Sequence, residues 1–378
     1  MTHRRLAVRR RLIPAAAALV LCVPAAGCAR FDDSASTPFS PEMTFAPEAQ
    51  NPSPSDPPSS TTRPTRPPGP CVDQDDSVIA TCLDSTGGLV ILPGGESALV
   101  AERRTGKIMK VGADQNQKAI EVARVDVDAS GDGGLLDLTV SPSYDEDGLI
   151  YALITTPSDN RVVRLVAGDA PKDVVTGIPK GATGNVGALD FVSADELVVL
   201  TGDGGSPGAA QDPGSLAGKL LRVEIGAAAA APPPTVLASG FGVGGDVCPG
   251  PDNQVWVADR TATEDRIQRV PVAGGPATTM WTWPDRPGVA GCAVGQDFAV
   301  VMVTKQKAIS MLKVDNGAVS TAPSLVAQDR YGSLGGAAVA PDGLIWAATV
   351  NKDGGQPGPN DERVVRFPID GGGGGGPD

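Results

Sequence analysis

Asp126, Asp128, Ser130, Asp132 and Asp137 stand at positions 1, 3, 5, 7 and 12 of a calcium-loop pattern, with Gly131 at position 6. Oxygen side chains at that spacing can wrap a hard cation, so Asp126, Asp128, Asp132 and Asp137 are candidate calcium ligands. Position 8 is Gly133, and the last ligand is Asp rather than Glu. The competing reading is a Gly/Asp-rich loop between strands. Asp203, Asp246, Asp259 and Asp265 sit at predicted loop positions and offer carboxylates for hydrolytic chemistry: two acids suffice for a glycosidase, and acids can hold calcium in a lactonase. Gly214 to Lys219 lacks the spacing and the hydroxyl of a phosphate loop, which excludes nucleotide binding there.

The 378 residues contain one histidine, His3, and it lies in a leader. Five arginines and no acid precede the apolar stretch Leu12 to Val23, which ends in Ala25-Ala26-Gly27-Cys28. A charged start, a short apolar segment and small residues before a cysteine read as a secretory signal over 1–27 with lipidation of Cys28, in the manner of a palmitate-bearing lipoprotein. Once cleaved, the chain holds no imidazole. That excludes Ser-His-Asp and Cys-His hydrolases, His-ligated metals and a histidine base. Its balance becomes 26 Lys+Arg against 44 Asp+Glu, or −18, which repels nucleic acid.

Residues 28–70 carry many prolines among Ser, Thr and Asp and little to bury, so they predict a disordered tether. Residues 371–378 predict a flexible Gly-rich tail. Cys22 leaves with the leader and Cys28 carries lipid. The four remaining cysteines form two disulfides in an exported protein, and the preferred pairing of three is Cys71–Cys82 with Cys248–Cys292.

Residues 71–370 are short Val/Leu/Ile-rich runs separated by Gly, Pro, Asp and Asn, which is an all-β texture. A strand, a polar turn and a second strand of the form basic, apolar, any, basic, apolar recur. The second strands begin at Lys107, Arg161, Lys219, Arg266 and Arg363, with a degenerate copy at Ser310. The first strands begin near Leu99, Leu149, Leu197, Val255, Phe298 and Leu344, at separations of 50, 48, 58, 43 and 46. Six such copies predict a six-bladed β-propeller. The basic residues read as rim positions whose stems cover apolar edges, and Trp256 and Trp346 as matching inter-blade packing residues.

Leu99-Val-Ala-Glu-Arg103, Gly133-Gly-Leu-Leu136, Thr201-Gly-Asp-Gly-Gly205 and Gly218-Lys-Leu-Leu-Arg222 resemble lipoproteins of the soluble PQQ-dependent glucose/sorbosone dehydrogenase-like family. The resemblance implies a propeller that uses pyrroloquinoline quinone (PQQ) and calcium to oxidise sugars. It also implies that Asp203 matches the acid supporting the family's catalytic histidine, and that Asp265 lies near a calcium-site acid. Gly184, however, stands at the histidine and Ala188 at the following arginine, while Gly242-Val243 replaces a quinone-contacting Arg-Asn pair. The aromatic segment Trp281 to Pro284 falls where the family has a loop able to stack on sugars.

The expected protein is therefore a lipid-anchored propeller on the outer face of the cell membrane. Its expected role is non-catalytic, a binding or scaffolding module of the envelope with a sugar, glycan or protein ligand and no cofactor. Two alternatives stand beside it: a PQQ- and calcium-dependent sugar dehydrogenase with a rearranged site, and a calcium-dependent lactonase or hydrolase.

Overall fold

The computed structural model describes residues 67, 69–113, 117–226, 232–251 and 253–368. The signal peptide, Cys28, nearly all of the 28–70 segment and the 371–378 tail lie outside the described residues. Among the described residues, no helix is long and apolar enough to cross a membrane.

Strand β1 (Val78–Ala80) precedes six antiparallel sheets, each a blade. Blade 1 holds β2 (Thr86–Ile91), β3 (Ser97–Glu102), β4 (Lys107–Gly112) and β5 (Ile120–Arg124). Blade 2 holds β6 (Leu135–Val140), β7 (Ile150–Thr155), β8 (Asn160–Leu165) and β9 (Lys172–Ile178). Blade 3 holds β10 (Ala188–Phe191), β11 (Glu196–Leu200), β12 (Lys219–Glu224) and β13 (Thr235–Ser239). Blade 4 holds β14 (Gly245–Gly250), β15 (Gln254–Arg260), β16 (Asp265–Pro271) and β17 (Thr278–Trp283). Blade 5 holds β18 (Val289–Val294), β19 (Phe298–Val303), β20 (Ala308–Asp315), β21 (Ala318–Val319) and β22 (Ser324–Val326). Blade 6 holds β23 (Leu334–Val339), β24 (Ile345–Thr349) and β25 (Val364–Phe367), and β1 completes it by pairing with β25. The first strand of each blade touches the first strand of the next, and β23 touches β2, so the ring closes.

The recurring motif is thus the second and third strand of each blade. The second strands are apolar without alternation because both faces are covered. Ala98 to Ala101 and Leu197 to Leu200 are wholly buried, sandwiched between neighbouring blades. Trp346 packs with Leu89, Ala98 and Val100 of blade 1, and Trp256 with Val289, Cys292 and Ala299 of blade 5, so both tryptophans cement blades. Trp283 and Trp281 lie on β17 and join that same blade 4–blade 5 core, which gives them packing work.

The rim reading of the basic residues needs one correction. Arg161, Arg266 and Arg363 do pair with acids, Asp159, Asp259 and Asp361, the last two of which are themselves buried. Lys219 instead is fully buried, and its ammonium donates to the carbonyls of Ala209 (3.1 Å), Ala210 (2.7 Å) and Ala217 (2.9 Å). Three acceptors for three N–H groups let it remain inside, pinning the 203–218 loop to blade 3.

Both expected disulfides are present. Cys71–Cys82 ties the segment leading into β1, and Cys248–Cys292 joins the innermost strands of blades 4 and 5.

Candidate functional site

The six innermost strands surround a central channel of about 430 Å³. It opens into a wider mouth of about 1070 Å³, built from the starts of those strands and the loops at that end. Gly88, Asp137, Asp246 and Gly336 line both spaces and form the floor between them.

Six cations line the mouth: Arg103, Arg260, Arg286, Lys305, Lys307 and Lys352. Three are committed to the protein. Arg103 makes a two-pronged pair with Asp353 (2.7 and 3.0 Å), Lys305 donates to the Arg286 carbonyl (3.0 Å), and Lys352 to the Leu83 carbonyl. The others are not. Arg260 uses only Nε, toward the Gly244 carbonyl at 3.3 Å, and neither the Arg286 guanidinium nor the Lys307 ammonium donates to any described residue. Burial pushes the Arg260 guanidinium down against the pull of Asp265, Asp132 and Asp259, yet an arginine keeps its charge there. Arg286 and Lys307 both occupy the left-handed backbone region (φ 54° and 49°), uncommon for non-glycine residues and frequent at binding sites. Their loops are braced together by Lys305 and by the Gln306 amide on Asp285 (3.0 Å). Five carboxyls, Asp132, Asp137, Asp246, Asp265 and Asp353, line the same mouth.

The candidate calcium loop does not converge. The Asp128 carboxylate is taken by Lys180 and by the Ser130 N–H, which hold it far below the usual carboxylate range. Asp132 accepts the Gly184 N–H (2.7 Å), the Asn185 side-chain amide (2.7 Å) and the Asn185 N–H (3.3 Å). Asp137 sits on β6 at the mouth floor, and Asp126 lines neither space. Among the described residues, the one group of three or more His, Cys, Asp or Glu ligand atoms within 4.8 Å of one another is Asp246, Cys248 and Cys292. Both sulfurs of that group are spent in a disulfide. A disulfide offers no thiolate, so the oxidised protein has only one carboxylate at that point.

The hydrolytic acids are tied as well. Asp259 is fully buried, accepts the Gly242 N–H (2.8 Å) and pairs with Arg266 (2.8 Å). Asp265 holds the Gly288 N–H (2.6 Å) and the Val289 N–H (3.1 Å), steering the loop into β18. Asp246, Asp259 and Asp265 are strand residues, on β14, β15 and β16, not loop residues.

Asp203 is buried, accepts the Gly205 N–H at 2.8 Å and lines neither the channel nor the mouth. Gly184 does reach the mouth, with φ 77°. A Cβ there would lie 2.6 Å from Asp203 Oδ1 and 2.5 Å from the Gly205 nitrogen. The space for a side chain at 184 is closed.

Sequence reasoning missed the cations, which come from four different blades or their loops and share no motif. It also missed Asp190, which lines the channel with Asp137 and Asp246. Burial drives all three carboxyls up: Asp190 to about 6, Asp246 to about 7, and Asp137 well above its ordinary value, helped by the Asp246 charge. The signal that could have found these acids is an aspartate within the innermost strand of three successive blades, at Leu135-Leu-Asp137, Ala188-Leu-Asp190 and Gly245-Asp246.

Residues 83–241 match the glucose/sorbosone dehydrogenase family. No curated protein matches the chain. Among solved structures, the PQQ-bound form of aldose sugar dehydrogenase from Streptomyces coelicolor is 27% identical, covers 76% of this chain and 95% of its own, and superposes with a TM-score of 0.68. A putative glucose dehydrogenase from Thermus thermophilus (24%, 76% and 98% coverage, TM-score 0.66) shares the fold, as does the apo soluble aldose sugar dehydrogenase of Escherichia coli (19%, 77% and 98%, TM-score 0.65). The ring of six blades and these likenesses make the chain a β-propeller related to the PQQ-dependent glucose/sorbosone dehydrogenases.

Proposed function

We propose that the mouth binds a carboxylated quinone and oxidises a sugar, as a dehydrogenase whose active site is rearranged. The observation that carries this reading is the trio Arg260, Arg286 and Lys307: three cations lining one cavity with donor groups that no described residue takes. They replace the charge missing at Gly242-Val243 and fit the carboxylates of such a cofactor. When bound, the quinone supplies the acceptor for the hydride that leaves a sugar C–OH carbon. The residues of this chain hold its anionic groups and wall the sugar into a shared cavity. The described carboxylates build no cage for calcium, and no step is assigned to that ion.

Titrating the mature protein with PQQ, with and without calcium, and following quinone absorbance and aldose-dependent dye reduction tests the reading. Saturable micromolar binding, weakened about tenfold or more in Arg286→Ala and Lys307→Ala, is expected. No binding by the wild type at micromolar quinone rejects it.

One observation favours a second reading, a non-catalytic receptor for an anionic sugar or glycan of the envelope: Gly184 has no base and no room for one. Quinone binding without turnover on any aldose selects it. Either reading includes a lipid anchor at Cys28 and a proline-rich tether that hold the propeller on the outer face of the cell membrane. Metabolic labelling with a clickable palmitate analogue, lost in Cys28→Ala, is the expected result.

A further inference from the structure

We propose that the carboxyl pair Asp137 and Asp246, on the floor of the mouth, is the proton acceptor for alcohol oxidation in that cavity, in place of an imidazole at position 184. This rests on the dehydrogenase reading above. Asp137 and Asp246 are the only acids that line both the mouth and the channel among the described residues. Of the other acids of the mouth, Asp132 accepts three N–H groups, Asp265 accepts two backbone N–H groups and Asp353 pairs with Arg103, and none of the three lines the channel.

The Asp137 carboxyl is placed differently. Its Oδ2 accepts the Leu189 N–H at 2.8 Å, while Oδ1 lies 1.4 Å from the point a Cβ on Gly88 would occupy. A glycine on β2 is therefore what leaves room for this carboxyl at the junction of the two spaces. Asp246 accepts the Val247 and Cys292 N–H groups, and its charge adds to the burial that raises Asp137. Burial raises Asp246 itself to about 7, and a base with affinity near neutrality is the efficient one at neutral pH. Below them Asp190, held by Thr139 (3.0 Å) and the Phe191 N–H (2.7 Å), offers the next carboxyl along the channel. Strands β2, β18 and β23 bring no other titratable group to the channel lining, Cys248 and Cys292 being disulfide-bonded. On the mouth side the facing cations are Arg103, Arg260, Arg286, Lys305, Lys307 and Lys352.

The chemistry balances. As a sugar C–OH becomes C=O, the C–H electron pair and hydrogen go as hydride to the quinone oxidant, and the O–H proton goes to the Asp137 carboxylate.

Asp137→Asn and Asp246→Asn test this in the mature protein, each checked for an unchanged circular dichroism spectrum. In the wild type without cofactor, an infrared band of protonated carboxyl is expected to disappear between about pH 6 and 8, and each variant changes it. Quinone affinity should stay within twofold while aldose turnover falls about 100-fold. Wild-type turnover in folded Asp137→Asn with quinone bound overturns the proposal, as does the absence of any carboxyl titrating in that range. Failure of the wild type to bind quinone instead rejects the dehydrogenase reading itself. If neither variant folds, the wild-type pH profile decides: kcat must rise through a group titrating near neutrality, and a flat profile overturns the pair.

Discussion

Gly184 and Asp203 exclude a side chain between them: Asp203 Oδ1 lies 2.6 Å from the Cβ position of residue 184, whose backbone is left-handed. Together with the Gly205 nitrogen at 2.5 Å, that oxygen leaves no room for a side chain at position 184.

Gly184→His consequently restores no sugar oxidation. It forces Asp203 and the Gly204-Gly205 backbone apart and places a non-glycine residue at φ 77°. A loss of about 1–3 kcal/mol is expected from the backbone conformation alone, read as a lowered Tm with no gain in dye reduction.

The channel acids predict an unusual pH dependence. Asp190 and Asp246 bind protons more tightly when folded (about 6 and about 7) than an unfolded aspartate does at 3.8. The folded state thus holds more protons between those values, and the stability these groups contribute is present below about pH 4 and lost as pH rises through 6 to 7. Asp75, Asp84 and Asp159, with lowered values, act oppositely and lose their contribution as pH falls below the ordinary carboxylate range. Asp190→Asn should therefore raise Tm at pH 8 relative to wild type and flatten the decline between pH 5 and 8. Melting curves across that range check it, and an unchanged slope counts against buried, proton-holding carboxyls.

Cys248–Cys292 closes 44 residues of chain and locks the innermost strands of blades 4 and 5. Replacing both cysteines by Ser is expected to cost about 2–4 kcal/mol, measured by denaturant unfolding. Non-reducing peptide mapping should recover this pair and Cys71–Cys82. Zinc should not raise the Tm of the oxidised protein, because no thiolate is free beside Asp246.

Lys219→Met keeps the apolar stem but leaves the carbonyls of Ala209, Ala210 and Ala217 without their donor. A buried acceptor left unmet costs about 1–3 kcal/mol, so loosening of the 203–218 loop is expected. Faster amide exchange within that loop, ahead of blades 1 and 6, is the measurement.

The architecture was legible in the sequence because it is written in local patterns. Strand pairs repeat at propeller spacing, turn residues separate them, and the four cysteines of residues 71–370 allow only three pairings. Those features depend on neighbours along the chain, so blades, disulfides and the packing of Trp256 and Trp346 could be read directly. That His3 is the one histidine of the chain was equally visible.

The site was not legible, because its groups meet only through ring closure. Asp126 to Asp137 has the spacing of a calcium loop, yet β6 begins at Leu135 and carries Asp137 to the channel while Lys180 claims Asp128. Arg260 ends β15 while Arg286 and Lys307 stand in turns further along the chain, and the three line one mouth only when blades 4 and 5 stand side by side. Whether a carboxylate is committed or free depends on which N–H groups the next blade presents, and the sequence does not state that. Residue types and repeats determined what could be built. The tertiary structure decided which charges face the same cavity, since electrostatic and proton-binding properties follow distance and burial rather than order along the chain.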